Sequence, residues 1–344
     1  MSVTLSDIAR RAKVSQGTAS RVLSGGTIRV SEKTRTRIQK IAKELNYVPN
    51  VSAQTLKTGR FYNIAVIAYD ITDAFAVECV RTIEAYLETT DYSATFFSCA
   101  HKQPGDSRLL LQEIANATDG LIVIAADNYL SDADLLQLWA TRKIPIVSII
   151  RRLPGDLVPS VRMSNDAGMR QLMNHLYELG HRQVAMCFDR SMHPSASQRF
   201  RTYKACLQEF GLPDERSLQV GMEGINLDDG YKAGLELLKI SPLPTAIIAF
   251  NDLTAFGIIA SLCENGVKVP EDVSVAGFDD IRMAKYYTPS LTTIAADYEQ
   301  IARQSADKLI SLVNEPDNIG RQGDNIILMP KLKIRSSTGK ARRI

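Results

Sequence analysis

From Ser15 to Arg21 the chain reads Ser-Gln-Gly-Thr-Ala-Ser-Arg. Wound into a helix, this segment turns Gln16, Gly17, Ser20 and Arg21 outward and Ala19, Val22 and Leu23 inward. Arginine suits the O6/N7 edge of guanine and glutamine the N6/N7 edge of adenine. The chemistry on offer is therefore recognition by hydrogen bonds, not bond making. A second set of polar or aromatic side chains falls just after short apolar runs: Asp70, Asp73 and Phe75; Arg151 and Arg152; Asp189, His193 and Ser195; Asn251 and Asp252; Asp279 and Asp280. In parallel α/β sheets ligands gather at the carboxyl ends of strands, which makes these positions candidate contacts for a small molecule.

Catalytic sets do not assemble. No GxGxxG follows the first apolar run, Ile-Ala-Val-Ile-Ala-Tyr-Asp-Ile-Thr-Asp-Ala-Phe, and no P-loop occurs elsewhere. The five cysteines (Cys79, Cys99, Cys187, Cys206, Cys263) stand singly, without a CxxC pair or a histidine at ligand spacing. This usage fits a reducing compartment. No cofactor and no metal is expected, and the chain does not read as an enzyme. His101, His175 and His181 fit no pattern, and His193 alone among the histidines falls near the expected cleft.

Three short helices carry the first set. Leu5, Ile8, Ala9 and Ala12 repeat at helical spacing behind Thr4, which with Asp7 forms a capping-box pattern. After a break at Lys13 and Val14, Ser15 caps the second helix. Ser31 caps a third, reaching Leu45 through Ile38, Ile41 and Ala42, with Lys33, Arg35, Arg37, Lys40 and Lys43 over its remaining surface. Two helices of about two turns joined by three or four residues make a helix-turn-helix, whose second helix lies in the DNA major groove. Beyond Pro49, Asn50 caps a segment to Lys57 that ends at Gly59; it is too short to be stable alone and has a small apolar face of Val51, Ala53 and Leu56.

Charge divides at the same place. Residues 1–60 hold 12 Lys+Arg against 3 Asp+Glu, a net of +9, whereas the remaining 284 residues carry 29 against 35, a net of −6. A basic head on an acidic body is the footprint of a nucleic-acid module joined to something else. With 344 residues there is chain for about two to three domains. No apolar signal region opens the sequence and no run approaches the roughly 18 apolar residues of a membrane span, so a cytoplasmic location with no membrane partner is expected.

The body alternates apolar runs with helix-length segments: 62–70, 93–99, 119–126 and 144–150, then, after 158–164, a second series in Gln-Val-Ala-Met-Cys-Phe, Pro-Thr-Ala-Ile-Ile-Ala-Phe and Val-Ser-Val-Ala-Gly-Phe. This is βαβ periodicity, and two series imply two α/β lobes with parallel sheets.

Essentially the whole chain resembles the LacI/GalR family of bacterial transcription regulators. The resemblance rests on Thr-Leu-Ser-Asp-Ile-Ala-Arg-Arg-Ala-Lys-Val-Ser-Gln-Gly-Thr-Ala-Ser-Arg-Val-Leu, on residues 30–50, on Ser-Ala-Gln-Thr-Leu-Lys, and on motifs through the body. It implies an α/β chain with a helix-turn-helix domain (1–48), a hinge helix and linker (49–60) and a two-lobed, periplasmic-binding-protein type I-like body (61–344). Lobe 1 is expected at about 61–160 plus 291–323, and lobe 2 at about 161–290 plus 324–335. The implied activity is repression of a carbohydrate-utilisation operon through a pseudo-palindromic double-stranded DNA operator. A homodimer would bind it with an affinity set by a small effector. A solute-binding protein or an enzyme on the same body fold is the alternative.

Residue by residue, the resemblance carries DNA contact to Thr4, Ser15, Gln16, Gly17, Thr18, Ser20 and Arg21 in the head and to Asn50, Ala53, Leu56 and Lys57 in the hinge. Leu56 matches the leucine that wedges open a central base step. Effector contact is carried to Arg199 in Gln-Arg-Phe-Arg-Thr-Tyr, Asn251 in Phe-Asn-Asp-Leu-Thr and Asp279 in Gly-Phe-Asp-Asp-Ile, and Phe75, Arg151, His193 and Ser195 join them as candidates by their place just after strands. Plainer roles stand beside these: a surface or interface arginine for Arg199, a helix cap for Asn251, lobe packing for Phe75, and a cap or lobe-closure residue for Asp280. The chain departs from the family at Lys13, where a glycine is common, and at Ile150 and Ser164, where acids are common. With two acids missing beside Arg151, Arg152 and Arg199, an anionic effector such as a sugar acid or sugar phosphate is expected. Ile225 stands where purine-binding relatives place an aromatic, which speaks against a stacked base. The tail after Arg335 lacks heptads, which favours a dimer over a tetramer.

Overall fold

A computed structural model describes residues 3–23, 28–47, 55, 58–68, 70–99, 107–124, 130–191, 194–318 and 324–342. The chain separates into two compact units at Phe61. The first holds α1 (Leu5–Ala12), α2 (Gln16–Leu23) and α3 (Glu32–Glu44). Ile8, Ala9, Ala12, Ala19, Val22, Ile38 and Ile41 are its buried core, with Leu5, Leu23, Ala42 and Leu45 packed at the margin. The helical spacing of these residues is what brings them together. Thr4 and Asp7 complete the capping box at α1, and Ser31 caps α3 through the Thr34 amide.

Lys13 ends α1 in the left-handed conformation, φ 53° and ψ 49°, and its amide bonds back to the Ala9 and Arg10 carbonyls. A side chain there suffers a steric cost that glycine avoids. Lys13→Gly is expected to stabilise the head by about 1 kcal/mol, read as a raised thermal midpoint; a lowered midpoint would contradict the cap reading.

The second unit has two lobes built on two six-stranded sheets. Sheet one runs β11-β5-β4-β3-β1-β2, all parallel, from β1 (Asn63–Ala68), β2 (Ser93–Ser98), β3 (Gly120–Ile124), β4 (Ile146–Ile149), β5 (Ser160–Met163) and β11 (Asn325–Leu328). Sheet two runs β12-β10-β9-β8-β6-β7, from β6 (Val184–Asp189), β7 (Gln219–Met222), β8 (Ala246–Ile248), β9 (Ser274–Asp279), β10 (Thr292–Ala295) and β12 (Lys331–Lys333); only β12 is antiparallel to its neighbour. Lobe 1 adds helices α4 (Ala74–Leu87), α5 (Ser107–Ala115), α6 (Asp132–Arg142) and α11 (Tyr298–Asn314). Lobe 2 adds α7 (Asn165–Glu178), α8 (Pro194–Glu209), α9 (Leu227–Leu237) and α10 (Asp252–Glu264).

Three strand assignments differ from those read in the sequence. All of β5 lies in sheet one, β10 joins β9 in sheet two, and β11 joins β5 in sheet one. The chain therefore crosses between lobes after β5, between β10 and α11, and between β11 and β12. Apolar runs reveal strands, but a partner more than 100 residues away decides the sheet of β11: Ile326 pairs with Val161, while in β10 Thr293 pairs with Gly277.

Close helix packing sets one wall of the cleft. A methyl group added to Gly257 of α10 would lie 2.1 Å from the Leu227 carbonyl of α9, and one on Gly230 would lie 2.2 Å from the Thr254 carbonyl. The two helices thus cross in backbone contact and present their capping residues, Asn226 and Asn251, side by side at the cleft. Residues 336–342 return along lobe 2, where the Ser337 hydroxyl donates to the Val275 carbonyl (2.6 Å) and the Ala341 amide to the Leu179 carbonyl (2.9 Å). Among the described residues no helix is long and apolar enough to cross a membrane.

Candidate functional site

The head offers a short polar helix surface. Ser15 caps α2, its Oγ accepting the Thr18 amide (3.1 Å) and lying 2.8 Å from the Thr18 hydroxyl. Gln16, Gly17 and Arg21 are exposed and Thr18 and Ser20 half-buried, while Ala19 and Val22 are buried against α1 and α3. Thr4 is exposed at the start of α1, but its hydroxyl is engaged with Asp7, 2.6 Å away. That bond, with the Arg10 pairing beside it, holds the Asp7 carboxyl below its ordinary range. Asn50, Ala53, Leu56 and Lys57 lie outside the described residues, as does His193.

In the second unit a cavity of about 400 Å³ opens between the lobes. Phe75, Ser195, Arg199, Asn251 and Asp279 all border it, together with Asp70, Asp73 and Asp189 from the ends of β1 and β6. Arg199, on α8, is its electrostatic centre. Burial works against its charge, yet its guanidinium donates from Nε to Asn165 Oδ1 (2.9 Å) and from Nη1 to the Phe250 carbonyl (2.6 Å), and Nη2 stands 3.5 Å from Asp279. It also lies over the rings of Phe278 (4.1 Å) and Phe250 (4.9 Å), contacts that favour a cation. Burial raises the Asp279 carboxyl and Arg199 opposes that rise. Asp279 holds φ 106°, a left-handed backbone rarely tolerated by a residue with a side chain.

Several expectations need correcting here. Arg151 does not reach the cavity: it is buried, donating to the Leu130 carbonyl (2.8 Å) and pairing with Asp132. Arg152 pairs with Asp156 instead. Asp252 is a brace, its carboxylate accepting the Ile281 amide (2.9 Å) and the Thr293 hydroxyl (2.5 Å), and burial pushes its proton affinity well up. Asp280 is paired with Arg335. Asn251 lines the cavity and also caps α10, with Oδ1 on the Thr254 amide and Nδ2 on the Ile225 carbonyl (3.1 Å). Phe75 both borders the cavity and packs 5.5 Å from the Tyr298 ring.

Sequence reasoning missed Asn165, Arg162, Gln198 and Glu223, all at the cavity wall. Asn165 closely follows β5, and treating β5 as a full strand of lobe 1 would have marked it. The balance of charges at the cavity also differs from the expected one. Among the described residues the cavity is bordered by Asp70, Asp73, Asp189, Glu223 and Asp279 against Arg162 and Arg199, a formal excess of three negative charges, or two once Glu223 is set against its partner Arg190, 3.4 Å away. An anionic effector would meet net repulsion, because Arg151 and Arg152, invoked for it, have turned to Asp132 and Asp156. Among the described residues no group of three or more His, Cys, Asp or Glu could hold a metal ion.

Comparison with known proteins places both units. Residues 4–50 match the profile of bacterial regulatory proteins of the lacI family, and residues 173–338 that of a periplasmic binding protein-like domain. The HTH-type transcriptional repressor CytR of Escherichia coli K12 is 29% identical over 303 residues, 88% of this chain and 87% of that protein. The HTH-type transcriptional regulator DegA of Bacillus subtilis 168 is 29% identical over 338 residues, 98% of each. Among solved structures, the lac repressor dimer bound to operator and the anti-inducer ONPF superposes with a TM-score of 0.81 at 27% identity, covering 98% of this chain and all of that one. A complex of the transcriptional regulator CelR with cellobiose gives 0.70 at 26%, covering 97% and 99%.

Proposed function

The chain belongs to the lacI family of bacterial regulatory proteins, and from that premise we propose that it is a transcriptional repressor, not an enzyme, acting in the cytoplasm as a homodimer on a pseudo-palindromic operator. One observation carries the reading: a head that exposes Gln16 and Arg21 on a helix packed by Ala19 and Val22 precedes a body whose lobes border a cavity around Arg199 and Asp279. Each head reads one half-site, and the two-fold of the dimer matches the palindrome. Residues 49–60 are proposed as the hinge helix and linker, the helix ordered against its copy and the minor groove on the operator. Effector binding that alters the spacing of the two heads then biases that ordering, and couplings of about 1–3 kcal/mol suffice to switch occupancy.

The effector is proposed to be a neutral polyhydroxylated molecule such as a sugar. Hydroxyl groups match the carboxylate acceptors Asp70, Asp73 and Asp189 and the donors on Arg199, and the acidic wall excludes anions. The test is a thermal-shift panel of sugars alongside their acid and phosphate forms. A neutral ligand at about 100 times its Kd adds roughly 2.7 kcal/mol and raises the midpoint on the order of 5 °C, while the charged counterparts leave it unchanged. Tight binding confined to the anions would reverse the assignment. Selection of DNA sites with the full chain tests the other half, by recovering a palindrome whose occupancy the same sugar changes.

A further inference from the structure

Asp73 and Asp279 border the same cavity from opposite lobes. Asp73 caps α4, its carboxylate accepting the Phe75 amide (3.0 Å), and the next residue, Ala74, packs on the apolar core of lobe 2. The start of α4 is therefore a point where lobe 1 touches lobe 2. Asp279 closes β9 and is already served by Arg199, whose guanidinium also serves Asn165 and Phe250. We propose that closure of the two lobes takes up one proton at Asp73, which makes the body a pH-biased switch in addition to a ligand-gated one.

Among the described residues the charged groups around the pair are mainly acidic, with Arg162 at the same cavity and Arg81 paired to Glu78 (2.9 Å). Asp70 faces Asp73 from the turn after β1, and Asp279 faces it from β9. On its own helix the Glu78 carboxylate and the Cys79 thiol lie close to the same cluster. Behind Asp279 stand Arg199, which opposes the repulsion, and Asp252 and Tyr298, which do not. Burial first, and Asp279 second, push the Asp73 carboxyl up to about 6, while the Phe75 and Ala76 amides pull the other way.

The sign follows from linkage. Opening the cleft hydrates Asp73 and removes Asp279 from its vicinity, so the open form titrates nearer the ordinary value of 3.8. Between those two values the closed form binds more protons, and acid therefore favours closure. The closed-to-open ratio rises up to about tenfold between about pH 7.5 and about pH 5. An effector that prefers closed lobes would bind correspondingly tighter in acid. The proposal extends the effector reading and is tested without the effector.

Cys263 is exposed on lobe 2, whereas Cys79, Cys99, Cys187 and Cys206 are buried. A spin label on Cys263 and another on Ala140→Cys, an exposed position of α6 in lobe 1, report lobe separation by pulsed electron resonance. Labelled chains are diluted into unlabelled protein to suppress distances between protomers. The expected result is a shorter distance population that grows from about pH 7.5 to about pH 5, and that Asp73→Asn displays at both. Asparagine caps a helix as well as aspartate, so the variant retains α4. A distribution indifferent to pH in the parent, or a pH response that survives Asp73→Asn, overturns the proposal.

Discussion

Arg199→Met is expected to lower the unfolding free energy of the body by about 3–5 kcal/mol at neutral pH and to abolish the response to effector. Methionine keeps much of the length and apolar volume, so the loss isolates the guanidinium. With it go the donors to Asn165 Oδ1 and to the Phe250 carbonyl, and the cation 3.5 Å from Asp279. Asp279 is buried, and a buried carboxylate stripped of its partner carries the full desolvation penalty. Removing both partners is much milder than removing one. Arg199→Met with Asp279→Asn should therefore recover the part of the stability lost to the stripped carboxylate while leaving the effector response absent. The defect also has a pH signature. Without Arg199 the Asp279 carboxyl rises further, the native state holds a proton that the unfolded chain releases, and stability is regained as pH falls. Urea unfolding at about pH 8 and about pH 5 should show the single-variant defect shrinking in acid. A defect of the same size at both values, or none in the single variant, would mean that the ion pair does not organise the cleft.

The family resemblance marked Arg199 and Asp279, whereas what the residues alone reveal has a physical limit. Helical spacing is local: Ile8, Ala9 and Ala12, or Ile38 and Ile41, reveal a buried face within a few residues of chain, and those faces form the core of the head. Lys13 was marked by the family resemblance, which places a glycine there, and it holds the left-handed backbone that a glycine at that position implies. Strand ends are different. The chain direction shows that Arg151 follows β4, but the Leu130 carbonyl and Asp132 decide where its guanidinium turns, and they belong to a separate βα unit. Likewise β10 and β11 look alike as apolar runs, and only pairing with β9 and β5 sends them to opposite lobes. The acidic balance of the cavity is the sum of such non-local choices. Arg151 and Arg152, counted toward an anion, each found a carboxylate away from the cavity. Acids at the rim instead hold backbone amides and hydroxyls: Asp70 accepts the Thr72 amide, and Asp189 the Ser191 amide and hydroxyl.

The head makes the complementary case, because its expected contacts are with a partner outside the chain. Arg21→Ala is expected to weaken binding to the selected palindrome by about 2–6 kcal/mol, since each half-site loses a bidentate contact worth about 1–3 kcal/mol and the dimer loses two. That is roughly 30-fold to 10⁴-fold in Kd. Arg21 lies exposed on α2 one residue before buried Val22, so the substitution leaves the packing of Ala19 and Val22 in place and α2 should keep its fold. The alternative role for an exposed arginine is to hold a phosphate, and salt separates the two. If Arg21 reads a base, its removal from each head reduces affinity for the palindrome alone and leaves the slope of log K against log salt nearly as it was. If it holds a phosphate, its removal weakens random DNA as well and flattens the slope by about 2 for the dimer. Lys33→Ala on α3, an exposed basic position, serves as the phosphate-type comparison. Anisotropy titrations on the palindrome and on random duplex at several salt concentrations should give Arg21→Ala the first pattern. Equal losses on both duplexes would move base reading off Arg21, and Gln16, an exposed polar residue in the first turn of α2, would become the residue to substitute next.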